Sequence, residues 1–274
     1  MDRIGHYVEK PFSKQRKNIV LITKEGFRKR SVHAVVEIDV THAQLLMKQY
    51  RERQGTTISF TGWIVKCVGQ AISEHNELNS YRMGRRKIVT FDDVDIAIPV
   101  ERQIEGESRP MAYILRKVNE KSVIDITNEI RAVQEEEVDT TTQLLGKKLT
   151  TTERFVLNAP MVIKKLAMFL LRRNGLMKKK YMGTVGVTAV GMKGRFPGWV
   201  IPLGGTTATL VAVGGISQKP GVHRDAIAIR QFLHLTVTVD HDIVDGGPLA
   251  RFVDRLNELM ETGYGLPQGE NHTV

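Results

Sequence analysis

The stretch Asp240-His241-Asp242-Ile243-Val244-Asp245-Gly246-Gly247-Pro248 sets an imidazole among three carboxylates and ends in residues that reverse the chain. Such a set is compatible with metal binding, with proton transfer, or with nothing beyond a polar turn. A calcium loop fails, because Val244 stands at a ligand position and Arg251 stands where a bidentate glutamate is needed. A transition metal would need ligands from elsewhere, and no second histidine lies at ligand spacing, so no bound metal is expected. Proton transfer asks for less. A neutral imidazole held at the end of a strand is a general base with a pKa near the working pH. Asp245 would brace the turn, through the backbone or a salt bridge, and so fix the geometry of His241.

The elements that position this turn are readable. Leu233, Leu235, Val237 and Val239 alternate, which predicts a strand over 231–239 with one apolar face buried. Beyond the turn, Leu249, Phe252, Val253, Leu256, Leu259 and Met260 recur at helical spacing over 248–262, with Pro248 in the first turn and Gly263 at the stop. Upstream, 31–40 reads as a strand, and Thr41 followed by Gln44 reads as a capping box opening a helix to about Gln54. A helix over 60–75 is apolar on much of its surface and is expected deep in the core; being apolar over more than one core face requires, it also points to a subunit contact. Strands are expected around 87–100 and 109–118, a helix capped by Ser122, and a weakly patterned connection over 134–152. Asn158-Ala159-Pro160 opens a helix to Arg173, and strands follow at 182–190 and 206–216.

Composition narrows the function classes. The 274 residues are 41% hydrophobic and 26% charged, an ordinary globular balance, and nothing divides the chain after a basic arm over 1–30. One cysteine, Cys67, excludes an intrachain disulfide, fits a reducing compartment, and sits in an apolar-periodic segment as a small buried side chain. The polar, basic start carries no apolar signal region, and the uncharged run 196–218 is too rich in glycine, threonine and proline for a membrane helix. A cytoplasmic protein without a membrane partner is expected. The net charge of +10 fits an anionic partner or a solvated surface. The basic residues fall in small groups (Arg28–Arg30, Arg85–Lys87, Lys147–Lys148, Arg172–Arg173, Lys178–Lys180) without zinc-finger spacing or interleaved aromatics, so no nucleic-acid partner is expected.

"DHDIVDGGPLARFVDRLNELME" resembles the "DHRxxDG" signature and following helix of the acyltransferase component of 2-oxo acid dehydrogenase complexes. Its relative, chloramphenicol acetyltransferase, carries the shorter "HxxxDG" form. "HAVVEIDVTHAQLLMKQYRE", "ISFTGWIVKCVGQAISEHNELNS" and "GTVGVTAVGMKG" are similar, in order, to that family's first strand and helix, its next helix, and its "GTFTISNLGMFG" stretch. The resemblance spans roughly residues 15–262.

It implies an α/β fold of the coenzyme A-dependent acyltransferase type, a mixed β-sheet covered by helices, with 31–274 as the catalytic domain and the chain assembled as a homotrimer or a multiple of one. It implies coenzyme A as a substrate and dihydrolipoamide, on a lipoyl-bearing protein or as a small thiol, as the acceptor. His241 matches the family's base, Asp245 its orienting aspartate, and Thr188 the serine that donates to the oxyanion, with base and donor coming from different subunits. The departures are Asp242 for the motif's arginine, Ala189 for the residue after the donor, and "SRPMAYIL" (108–115) without the family's glycine. No lipoyl domain or subunit-binding segment is expected ahead of the matched region. An O-acyltransferase of the chloramphenicol acetyltransferase kind and a non-catalytic trimeric scaffold are the alternatives.

Overall fold

The computed structural model describes residues 4–104, 107–136, 143–144, 147–148, 150–194 and 196–268. Ten strands are β1 (Ser31–Asp39), β2 (Ser80–Met83), β3 (Lys87–Thr90), β4 (Ile96–Ile104), β5 (Glu107–Leu115), β6 (Gln143–Leu144), β7 (Lys147–Lys148), β8 (Val185–Thr188), β9 (Thr209–His223) and β10 (Ala226–Asp240). The helices are α1 (Lys14–Gly26), α2 (Thr41–Gln54), α3 (Phe60–Glu74), α4 (Val123–Glu135), α5 (Thr151–Asn158), α6 (Met161–Arg173), α7 (Gly175–Met182), α8 (Gly191–Gly194) and α9 (Gly246–Glu261). Six strands form one mixed sheet in the order β1-β10-β9-β8-β4-β5. The outer pairs are antiparallel, whereas β8 runs parallel to both β9 and β4.

The apolar alternation of β10 does what its period requires. Leu233, Leu235, Val237 and Val239 enter the core with Phe252, Leu256 and Met260 of α9. The opposite row, His234, Thr236 and Thr238, is buried too, so this strand is covered on both faces. His234 is spoken for there: its Nδ1 lies 2.8 Å from the Gly215 carbonyl oxygen, its Nε2 lies 3.1 Å from Glu37, and Trp199 packs edge-on against the ring. Ser122 and Asp125 cap α4 reciprocally, as the sequence predicts for its start.

Three expectations fail in instructive ways. Thr41 caps nothing: Asp39 accepts from its backbone N–H at 2.9 Å and its hydroxyl at 2.6 Å, so the local carboxylate takes the role assigned to a Thr41–Gln44 box. Helix α3 lies deep in the core, as its composition predicts, with ten of its residues buried within one chain, including Trp63, Ile64, Val68 and Ile72; what fails is its use as a sign of a subunit contact. Strands β9 and β10 run to 223 and from 226, well past the apolar segments that announced them, and join through Arg224 and Asp225 at positive φ. Nine of the nineteen residues of the expected connection over 134–152 lie outside the described residues. At its end the chain forms α5, capped reciprocally by Thr150 and Glu153; α6 stops at Arg173 as expected, and α7 starts at Gly175.

Candidate active site

Strand β10 delivers His241 at its C-terminal end, and the turn that follows is built mostly from backbone. The Asp240 carbonyl accepts from the N–H groups of Ile243 at 2.9 Å and Val244 at 3.0 Å, while the Asp240 carboxylate accepts from the Asp242 N–H at 3.2 Å. The His241 N–H donates to the Arg30 carbonyl at 2.9 Å, tying the turn to the start of β1. Val244 is buried and anchors the turn, and α9 begins at once with Asp245 as its N-cap. The His241 ring is left half-open at 47% exposure, with Nδ1 3.8 Å from Asp245 Oδ1. That carboxylate is exposed and makes no capping hydrogen bond, so Asp240, not Asp245, holds the turn in shape.

Asp242 answers the charge question its identity raises. Arg30 Nη1 donates to its carboxylate at 2.6 Å, so the cation beside the histidine comes from the N-terminal side of β1. Sequence alone expected a changed salt bridge here without naming its partner.

Thr188 closes β8, in the row that pairs it with Ala212 and, across β9, with Thr236. His241 lies five residues beyond Thr236 along β10. At about 3.3 Å per residue that is roughly 16 Å along the strands, with two inter-strand spacings of about 4.8 Å added sideways. One chain therefore brings His241 to Asp245 but not to Thr188. Around Thr188 the packing is by bare backbone. A Cβ on Gly191 would fall 1.9 Å from the Gly214 carbonyl carbon, and one on Gly215 would fall 1.6 Å from the Phe196 carbonyl oxygen.

Below the His241 turn, the basic groups that look scattered in sequence converge. A cavity of about 160 Å³ is lined by Arg28, Lys29, Arg82, Lys178, Asp240 and Asp242, among others. An adjoining depression of about 370 Å³ shares Arg82 and Asp242 and adds Arg30, Arg85, Arg86 and Lys87. Lys29 donates to the Thr207 carbonyl. Burial, and then the nearby Lys178 charge, push its pKa down to about 7, against the pull of Asp240 and Glu25. Burial lowers the Lys178 pKa as well. That these lysines and Arg82 meet beside the His241 turn is something sequence reading missed. The signal was the small basic groups, but their meeting depends on long-range pairing. Among the described residues no cluster of His, Cys, Asp and Glu could hold a metal ion.

The sheet order and helices define the fold of dihydrolipoamide acyltransferase cores. The structure of a probable dihydrolipoamide acetyltransferase from Listeria monocytogenes superposes with a TM-score of 0.69 at 19% identity, covering 98% of both chains. A dihydrolipoamide acetyltransferase of Azotobacter vinelandii, solved to study a serine, a histidine and an asparagine in its catalytic mechanism, gives 0.69 at 16% identity over 95% of this chain and 93% of that one. By sequence, the chain belongs to the family described as 2-oxoacid dehydrogenases acyltransferase (catalytic domain), which it matches over residues 5–151 and 172–266. The lipoamide acyltransferase component of the branched-chain α-keto acid dehydrogenase complex of Bacillus subtilis is 23% identical over 235 residues, 83% of this chain and 46% of that protein. The chain thus spans between 29% and 48% of the length of the curated relatives it matches.

Proposed function

We propose that this chain is a coenzyme A-dependent acyltransferase that moves an acyl group between coenzyme A and a thiol such as dihydrolipoamide, carried on a lipoyl-bearing protein or free. The observation that carries this reading is a match of spacing. In the Azotobacter enzyme the histidine and asparagine under study stand four positions apart and the serine 52 positions before the histidine; here Asp245 follows His241 by four and Thr188 precedes it by 53.

His241 is the base. With Nδ1 turned toward Asp245, Nε2 accepts the thiol proton. The thiolate attacks the thioester carbonyl, a C–S bond forms, and the carbonyl oxygen becomes an oxyanion. Collapse breaks the older C–S bond, and the departing thiolate recovers its proton from His241. The hydroxyl of Thr188 donates to the oxyanion. Since one chain keeps Thr188 and His241 apart, the donor comes from a second copy, and a homotrimer or a multiple of one completes the site. Asp245 orients the imidazole; an asparagine four positions after the histidine in the Azotobacter enzyme argues for a hydrogen-bonding role there rather than a charge.

The cationic cavity beside the turn suits the phosphates of coenzyme A, with the basic arm over 1–30 contributing Arg28, Lys29 and Arg30 to the domain over 31–274. The single buried Cys67, its thiol pKa pushed up by burial, fits a cytoplasmic setting. The test is direct. Supplied with acetyl-coenzyme A and dihydrolipoamide, the protein should form S-acetyldihydrolipoamide and free coenzyme A in equal amounts. Absence of transfer with retained trimer formation would leave a scaffold; transfer to a hydroxyl acceptor instead would mark an O-acyltransferase.

A further inference from the structure

Helix α6 contributes nothing to the core: none of its residues is buried. Its inward side is mixed: Lys164 donates to Asn18 at 3.1 Å, Arg172 lies 3.6 Å from Glu25, and Met168 and Leu171 line the cavity below the His241 turn. Its outward side is apolar, with Val162 77%, Leu166 58% and Leu170 55% exposed, and Ile163 and Phe169 beside them. Helix α1, which these contacts place alongside, also exposes Ile19, Val20 and Ile22.

The charge around this face is of one sign. Lys165 and Arg173 are exposed at its rim, and the Arg173 guanidinium stands 4.2 Å over the Phe169 ring. From Arg154 to Arg224 the chain carries twelve Lys and Arg and no Asp or Glu, more positive charge than the +10 net of the whole chain. The family match passes over 152–171, so the pattern shared by the family does not include α6 up to Leu171. A second copy paired face to face about a two-fold axis is a poor cover, because it would bring like-charged rims together. An apolar strip edged by cations suits a surface that is apolar a few ångströms down and anionic above, which is the headgroup boundary of an acidic bilayer.

We propose that α6 seats this protein on an anionic membrane surface. The contact lies in the plane of the interface: α6 has 13 residues, and no helix among the described residues is long and apolar enough to cross a membrane. The outward apolar residues enter the boundary while Lys165 and Arg173 meet lipid phosphates.

The whole protein is sedimented with vesicles of phosphatidylcholine alone or mixed with phosphatidylglycerol, at about 0.15 M salt. Binding to the mixed vesicles, with at least a tenfold lower bound fraction on neutral ones, is expected. Leu166→Gln with Leu170→Gln, which changes no charge, and separately Lys165→Glu with Arg173→Glu, should each lower the bound fraction about tenfold. Acyl transfer and thermal midpoint should stay as in the parent, since these side chains face outward. Failure to bind the acidic vesicles overturns the proposal, as does binding by the Gln variant equal to the parent's. Loss of an oligomer in the Gln variant, read by light scattering, would overturn it in favour of a contact between copies.

Discussion

The two ends of the central sheet are built by opposite means. At the His241 end a short turn is held by directed hydrogen bonds, with the Asp240 and Arg30 carbonyls accepting from the backbone around the imidazole, and the ring stands open. At the Thr188 end, glycine lets the chain lie flush: Gly191 against Gly214 and Gly215 against Phe196 leave no room for a side chain. The first end fixes a direction and the second fixes a separation. Each is structurally finished, yet neither holds both the base and the proposed oxyanion donor.

Removing the base should cost most. His241→Ala is expected to lower turnover by about 10²–10⁴-fold with the thermal midpoint unchanged, since the turn is held by backbone and by Asp240. Unfolding of this variant would make the His241 end a structural device. At the other end, Thr188→Val should cost about 3 kcal/mol in the transition state, on the order of 10²-fold in turnover, with KM nearly unchanged and Thr188→Ser active. Equal turnover in the Val variant would reduce Thr188 to a strand residue. Reassembling the two inactive variants together sharpens the contrast between the ends. If base and donor meet across subunits, random mixing makes about a quarter of the sites intact, and activity returns to that level. No recovery would place both groups in one chain and break the comparison.

A smaller effect belongs to the cavity below the His241 end. Lys29, with its pKa pushed down to about 7, is mostly neutral at about pH 8, and phosphates placed among Lys29, Lys178, Arg28 and Arg82 would restore its charge. Binding of coenzyme A should take up close to one proton at about pH 8, and affinity should weaken by at most about tenfold per pH unit above 7. Calorimetry in two buffers of different ionisation enthalpy measures the uptake; none in the parent protein would mean that the phosphates lie elsewhere. The smallest change is expected for Asp245→Asn, within about threefold of parent turnover, because the carboxylate stands exposed, 3.8 Å from Nδ1, and an amide oxygen can take its place beside the ring. A loss as large as that of His241→Ala would show that the carboxylate charge is needed.

Much of this arrangement is legible in the sequence where one signal decides the outcome. The alternation before His241 gives β10, helical spacing gives α9, and Ser122 as a cap gives the start of α4. Where two groups compete, local rules fail: at Thr41 the nearer Asp39 carboxylate wins the backbone N–H. The outer part of the β9–β10 hairpin has no core to imprint a pattern on it, since Val222 and Ile227 are exposed, and its turn lacks the Asn-Gly pair that announces such hairpins. Hydrophobicity alone misplaces helices in both directions. Helix α3 looks too apolar for one subunit and is buried in it, whereas α6 looks like an ordinary amphipathic helix and turns its apolar side outward. At the site, the Thr188 role rests on family likeness and the cationic cavity on residues that meet from distant segments. No local period could have shown either.

The pairing of β1 with β10 sets Ser31 opposite Asp240 and hangs the His241 N–H on the Arg30 carbonyl. An early strand of the chain can enter the sheet only beside one of the latest. During synthesis β1 must therefore wait, unpaired, until nearly the whole domain has emerged, and closing so long a loop makes its docking a slow, late event. The turn that carries the imidazole takes its final shape in that same event, so the appearance of a competent base should report the completion of folding itself.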